Sequence, residues 1–198
     1  NYLKQQNWLI EESFDYDVLM FNENDIQYQD IKASHIVFCE GFGLHANPFF
    51  NHLPLDGTKG ELLLVKAPGL NLDVIVNASV FILPLGNDLF KIGATYNWED
   101  KTDLITEAGK AELLEKIKEI LNCDFEIVEH LAGVRPTVKD RRPLLGTHPN
   151  HPKMHILNGL GTRGVMLGPY MAQILFDFIE HGKPIDREND IKRFDKKQ

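Results

Sequence analysis

Three groups of residues in this 198-residue chain combine types and spacings that could bind or transform a small molecule. Gly159-Leu160-Gly161-Thr162-Arg163-Gly164 follows the apolar run Met154-His155-Ile156-Leu157 and precedes an amphipathic stretch, the order of strand, glycine loop and helix. Glycines there let backbone N–H groups approach a ligand at the positive end of a helix, and Arg163 adds charge, which suits an electron-rich or anionic group. A tight strand-to-helix turn that binds nothing has the same spacing. Arg135, in Ala132-Gly133-Val134-Arg135-Pro136-Thr137, is predicted to sit in a turn beside a proline, where its planar fork could hold a carboxylate by two parallel hydrogen bonds. Pairing with Asp140 or Glu129 would make it structural instead. His148, His151 and His155 invite a metal, but their stretch passes from loop to strand with no carboxylate or thiolate nearby, so solvated loop histidines and no metal site are expected.

Gly41-Phe42-Gly43-Leu44-His45-Ala46 also follows a strand and formally matches G-x-G-x-x-A. Asn47-Pro48 and Pro54 stop any helix there, so a plain strand-to-loop turn is expected rather than a dinucleotide fingerprint. The Gly159 loop for its part lacks a following strand with an acidic residue about 20 positions on, and cannot open a mononucleotide-binding half. No Ser/His/Asp or Cys/His constellation is evident, so chemistry on a protein nucleophile is not indicated.

The elements that must position these residues can be outlined from pattern. Residues 1–34 suggest short strands in a meander, and 35–39 a buried strand of a mostly parallel sheet that ends at Glu40-Gly41. Positions 41–57 predict a loop. Strand signals then crowd at 61–65, 74–76, 80–83 and 90–94, a small antiparallel sheet. Positions 106–121 change to helical period, with Leu113, Leu114, Ile117, Ile120 and Leu121 on one stripe and Thr106 as N-cap. Further strands are expected at 125–129, Val134, 144–145 and 154–157, and a last helix over about 168–180 with Gly182 as its stop.

Composition limits the partners. The chain carries 21 Lys+Arg against 29 Asp+Glu, a net charge of −8 without a clustered basic face, so nucleic acid is not an expected partner. The longest apolar stretch, 78–85, is too short to cross a bilayer, so no membrane association is expected. Cys39 and Cys123 lie in apolar settings and are predicted to be buried free thiols, in keeping with a reducing, cytoplasmic compartment.

Taken together, Glu129-His130-Leu131-Ala132-Gly133-Val134-Arg135-Pro136, Asp140-Arg141-Arg142-Pro143-Leu144-Leu145-Gly146 and Asn158-Gly159-Leu160-Gly161-Thr162-Arg163-Gly164, in this order, resemble the C-terminal half of the D-amino acid oxidase/glycine oxidase/sarcosine oxidase family of FAD-dependent oxidoreductases. Upstream, Ile36-Val37-Phe38-Cys39-Glu40-Gly41, Thr58-Lys59-Gly60-Glu61-Leu62 and Phe90-Lys91-Ile92-Gly93-Ala94-Thr95 also look like family segments. The resemblance implies a mixed α+β and α/β fold: an antiparallel-sheet substrate domain with a helix, over 51–131, flanked by parts of an FAD-binding α/β domain over 1–50 and 132–198.

It further implies oxidation of the bond between an amine nitrogen and its α-carbon in a small amino acid or secondary amine, with FAD as hydride acceptor. The flavoprotein domain of a tRNA-modifying enzyme belongs to the same family and is an alternative, as is a cofactor-free fragment. By the same resemblance Arg135 matches the arginine that holds the substrate carboxylate. Gly41 and the loop of Gly159, Gly161, Thr162, Arg163 and Gly164 match cofactor-binding positions, and Tyr96 and Trp98 are candidates for the pocket wall, with core or interface aromatics as the alternative. The family's N-terminal glycine fingerprint is expected upstream of Asn1, so the chain is expected to be the distal part of a longer protein and inactive alone. Glu40 stands where the family has a small residue, and a carboxylate is tolerable beside a pyrophosphate only if it points away.

Overall fold

The computed structural model describes residues 2–22 and 24–195. A four-residue helix α1 (Tyr2–Gln5) precedes β1 (Leu19–Phe21), β2 (Ile26–Tyr28) and β3 (Ile31–Ala33), which pair antiparallel in sequence order as the expected meander. β4 (Ile36–Phe38) follows, then a 3₁₀ turn over Gly41–Ala46 within the predicted loop. β5 (Leu55–Lys66), β6 (Val76–Asn77), β7 (Phe81–Gly86) and β8 (Leu89–Gly93) lead to helix α2 (Glu107–Ile120). β9 (Glu126–Val138), β10 (Leu144–His148), β11 (His151–Asn158) and helix α3 (Gly164–His181) complete the order.

The three later sheet features match the mixed class. β4 pairs parallel with β11 (Met154↔Ile36, Ile156↔Phe38), and β10 closes the other edge of β11 antiparallel. The remaining five strands form an antiparallel sheet in the order β6-β7-β8-β5-β9, in which β5 and β9 run together from Leu55↔Val138 to Lys66↔Glu126. Leu63 and Val65 of β5 are fully buried with Leu113 and Ile117 of α2, each such side chain contributing roughly 1.5–3 kcal/mol of transfer free energy. Thr106 caps α2 by accepting from the Gly109 N–H at 3.0 Å, worth about 1 kcal/mol. A second core joins Phe38, Leu44, Phe50, Leu55, Val138 and Ile156, and a third lies between α3 and β10.

Several expectations are corrected. Arg135 does not stand in a turn: it is in β9, which is continuous for 13 residues and runs through the expected domain boundary at 131/132. Pro136 is tolerated because β9 is the edge of its sheet and needs no donor on the open side. Of the expected 74–76 strand only Val76 pairs, in β6, which runs on to Asn77. The last helix starts at Gly164 rather than Gly168 and contains Pro169, and Gly182 ends it at φ +65°. Neither cysteine is buried. Phe38 turns into the core, so the alternation of β4 puts Val37 and Cys39 on the uncovered face, and Cys123 is half-buried.

The histidines are not solvated loop residues either. His148 and His151 pair across the β10–β11 hairpin, their rings 4.8 Å apart and packed on Phe49. His155 is buried in β11, between His35 (Nδ1 to Nε2, 2.9 Å) and the Thr147 hydroxyl (2.8 Å). Among the described residues no helix is long and apolar enough to cross a membrane.

Candidate active site

The alternation of β5 divides its middle between two faces. Lys59, Glu61 and Leu63 lie on the α2 side with His130 of β9, while Thr58 and Gly60 share the other side with Arg135 and Thr137. On that second face the Thr58 and Thr137 hydroxyls are 3.2 Å apart and both line a cleft of about 610 Å³. Tyr96, Trp98, Gly159, Gly161, Thr162 and Arg163 line it too, with the 140–142 turn, so most of the residues singled out in sequence converge on one concavity. Tyr96 and Trp98 are 62% and 51% exposed, which makes them cleft aromatics rather than core ones.

Arg135 lies one layer behind the lining. Its guanidinium carbon is 4.4 Å from the centroid of the Tyr96 ring, a cation–π contact. Its Nη1 donates to the carbonyls of Thr58 (3.4 Å) and Thr95 (3.3 Å), and Nη2 to Thr95 at 3.3 Å. These bonds are long, and neither Asp140 nor Glu129 pairs with it: among the described residues Arg135 has no carboxylate partner. Burial pulls the guanidinium pKa down, against a smaller upward effect of Tyr96, so the charged form is incompletely compensated. Gly60 makes the seat for this group. A Cβ there would be 2.0 Å from Nη2 and 2.2 Å from both Cζ and Nη1, so only glycine lets the guanidinium lie over the strand.

The two glycine loops meet through Asn158. Its Nδ2 donates to the Gly41 carbonyl at 2.9 Å and its Oδ1 accepts from the Gly159 N–H at 2.7 Å. Gly159 and Gly161 adopt φ of +71° and +56°, and a Cβ on Gly159 would meet Val138 Cγ2 at 2.6 Å. Gly161 is open, its nearest prospective contact being the Pro136 carbonyl at 4.0 Å. Gly41 and Gly164 do not line the cleft; Gly164 begins α3, whose first turn has no side-chain cap. Arg163 donates to the Arg141 carbonyl at 3.1 Å, tying the loop to the turn opposite. In that turn burial pushes the Asp140 carboxyl up, but the Arg193 hydrogen bond (2.8 Å) and the Arg142 N–H more than offset it and hold it below the usual carboxylate range. Glu40 points to the Tyr16 hydroxyl and accepts from Asn47 at 2.8 Å, and burial with this contact holds the Tyr16 phenol protonated.

Sequence reasoning missed Gly60 and Asn158. A lone glycine inside the apolar β5 run, and a polar residue directly before the first loop glycine, were the available signals. Among the described residues no group of three or more His, Cys, Asp or Glu is placed to hold a metal.

The FAD dependent oxidoreductase family DAO matches residues 15–178. Glycine oxidase of Bacillus subtilis (strain 168) is 26% identical over 195 residues, covering 90% of this chain and 52% of the relative. The tRNA 5-methylaminomethyl-2-thiouridine biosynthesis bifunctional protein MnmC of Aromatoleum aromaticum is 26% identical over 176 residues, covering 78% of this chain and 28% of that protein. Among solved structures, iminodiacetate oxidase (IdaA) from Chelativorans sp. BNC1 superimposes with a TM-score of 0.72 at 25% identity over 86% of this chain and 51% of that one. Glycine oxidase from Geobacillus kaustophilus gives 0.69 at 23% identity, over 88% of this chain and 49% of the other. The chain thus spans about half the length of the glycine oxidases it matches. With 15–178 inside the family match, the chain belongs to the DAO family of FAD dependent oxidoreductases.

Proposed function

We propose that this chain is the substrate-binding and flavin-edge half of an oxidoreductase that oxidises the C–N bond of a small amino acid or secondary amine. Arg135 carries this conclusion: a half-buried guanidinium without a carboxylate partner among the described residues, seated over Gly60 beside the cleft. Its Nε–H and one Nη2–H are left for a substrate carboxylate, which would fix the α-carbon relative to the cleft. Tyr96 and Trp98 would wall the amine side, and the 51–131 segment would form most of the substrate domain. Glycine and iminodiacetate, in the names of similar proteins, both carry a carboxylate, in keeping with such an anchor.

The residues present fit the edge of a flavin. Gly161 offers open backbone at φ +56°, the N–H groups of the first turn of α3 have no side-chain cap, and Glu40 is occupied by Tyr16 and Asn47. Gly159, Gly161, Thr162, Arg163 and Gly164 would hold that edge, with Gly41 fixed beside them through Asn158. FAD, when bound, supplies the hydride acceptor. The segments 1–50 and 132–198 would then belong to the cofactor side, and the 198 residues alone are expected to lack activity. Anaerobic addition of small primary and secondary amino acids to the FAD-loaded full-length protein, of which this chain would be one half, tests the reading. Bleaching of the flavin band supports it, and a band that no amino acid bleaches refutes it.

A further inference from the structure

We propose that Lys59 is a positioning residue that, through Asp100, holds the Tyr96–Trp98 wall over Arg135. The inference rests on the substrate-pocket role proposed for that wall. β8 covers β5 only from Leu62 to Lys66. Beyond it, the edge of β5 is completed by the segment that follows β8. Thr95 N–H donates to the Glu61 carbonyl (3.1 Å), Glu61 N–H to the Thr95 hydroxyl (2.9 Å), and Lys59 and Asn97 exchange both backbone bonds at 2.9 and 3.0 Å. Tyr96 lies between two residues anchored in this way.

Tyr96 and Trp98 are more than half exposed, so burial of their own rings does little to hold them. Polar anchors do that instead. Asn97 Oδ1 accepts from the N–H groups of Glu99 (2.8 Å) and Asp100 (2.9 Å), turning the chain back under the sheet edge. There Lys59 Nζ, on a side chain 1% exposed, donates to Asp100 Oδ2 at 2.5 Å and to the Thr102 hydroxyl at 3.5 Å, with Glu61 Oε1 3.8 Å away. Glu61 is itself committed, accepting from the Thr106 N–H (2.9 Å) and hydroxyl (2.7 Å). His130 Nε2 lies 2.9 Å from Glu61 Oε2 without hydrogen-bond geometry. Lys101 adds an outer tie to Asp56 at 2.7 Å. A buried ammonium is costly unless paired, so Lys59 keeps Asp100, and with it the 96–98 segment, in one place.

The test uses Trp98 as its own reporter, in a Trp8→Phe background that removes the other of the two tryptophans. Lys59→Met would leave Glu61 buried without its cation and threaten folding, so Asp100, at the partly exposed end of the pair, is changed instead. Asp100→Asn is expected to raise acrylamide quenching of Trp98 about twofold and to lower the melting midpoint while the chain stays folded, because Lys59 keeps Glu61 at 3.8 Å as its anionic partner, and Asp100→Glu to restore both parent values. In the FAD-loaded full-length protein, Asp100→Asn should raise KM for the amino acid about tenfold and leave kcat within about twofold. Unchanged quenching, or altered quenching with an unchanged KM, overturns the proposal. If the parent protein itself is reduced by no amino acid, the functional reading fails, while the quenching still decides whether Lys59 and Asp100 anchor the wall.

Discussion

Gly60→Ala separates the placement of Arg135 from the stability of the sheet. A Cβ on Gly60 would be 2.0 Å from Nη2 and 2.2 Å from Cζ and Nη1, whereas ordinary contact begins at 3.4 Å. The guanidinium must therefore retreat by more than about 1 Å, a displacement that in a preorganised site costs on the order of 10²-fold. The obstructed atoms are the far end of a flexible side chain and Gly60 is not at positive φ, so the strand itself has no reason to fail. Alanine moreover removes some of the unfolded-state freedom of glycine, and the net stability change should stay within about 1 kcal/mol. Gly133, directly across the ladder from Gly60, is the internal control, because a Cβ there meets nothing within 4 Å. Steady-state kinetics of the FAD-loaded full-length protein with an amino acid, together with thermal melting, read both effects. Expected are a fall in kcat/KM of about two orders of magnitude for Gly60→Ala, a near-parental value for Gly133→Ala, and melting midpoints close to the parent for both. Parental kinetics for Gly60→Ala, or an equal loss in Gly133→Ala, would refute the seat.

Asn158→Ala removes the donor to the Gly41 carbonyl and the acceptor for the Gly159 N–H at a buried position, and should cost about 1–3 kcal/mol in denaturant unfolding while weakening flavin retention; a loss below about 0.5 kcal/mol would contradict its bridging role. Burial, followed by the proximity of His35, holds the His155 pKa down to about 4 from 6.5. The unfolded chain thus binds the proton first, so stability is full above about pH 6.5 and declines as pH falls toward about 4, by up to about 3 kcal/mol. A His155→Gln variant should show a flatter decline of melting midpoint between those pH values, and one that falls as steeply as the parent would remove His155 as the cause.

How much of this was legible in the sequence depended on whether a signal was local. The period change at 106–121, with Thr106 before it, gave α2 almost to the residue because cap and stripe are written within one segment. The glycine loop before α3 was equally plain, since positive φ at Gly159 and Gly161 needs only those residues. Arg135 was found by its neighbours but misplaced in a turn: the proline that suggested a break is harmless on an edge strand, and edge position is a property of the whole sheet. Gly60 and Lys59 were invisible as site residues for the same reason. Their partners, Arg135 and Asp100, are far along the chain and reach them only after β5, β9 and the segment after β8 have assembled. Tyr96 and Trp98 were legible as aromatics near a strand end, but whether they faced core or cleft required the fold. The exposure of Cys39 followed from strand alternation against a core on one face only, which an apolar run of five residues does not disclose.

The central claim is that Arg135 holds a substrate carboxylate, and the most direct measurement compares Arg135→Ala with the parent on an amino acid and on the corresponding amine without its carboxylate. The FAD-loaded variant is expected to bind flavin as the parent does and to show a KM for the amino acid raised by roughly two to three orders of magnitude, as loss of a charge-assisted bidentate pair requires, with the response to the plain amine little changed. Equal kinetics of variant and parent on the amino acid, or an equal loss on both compounds, would contradict it.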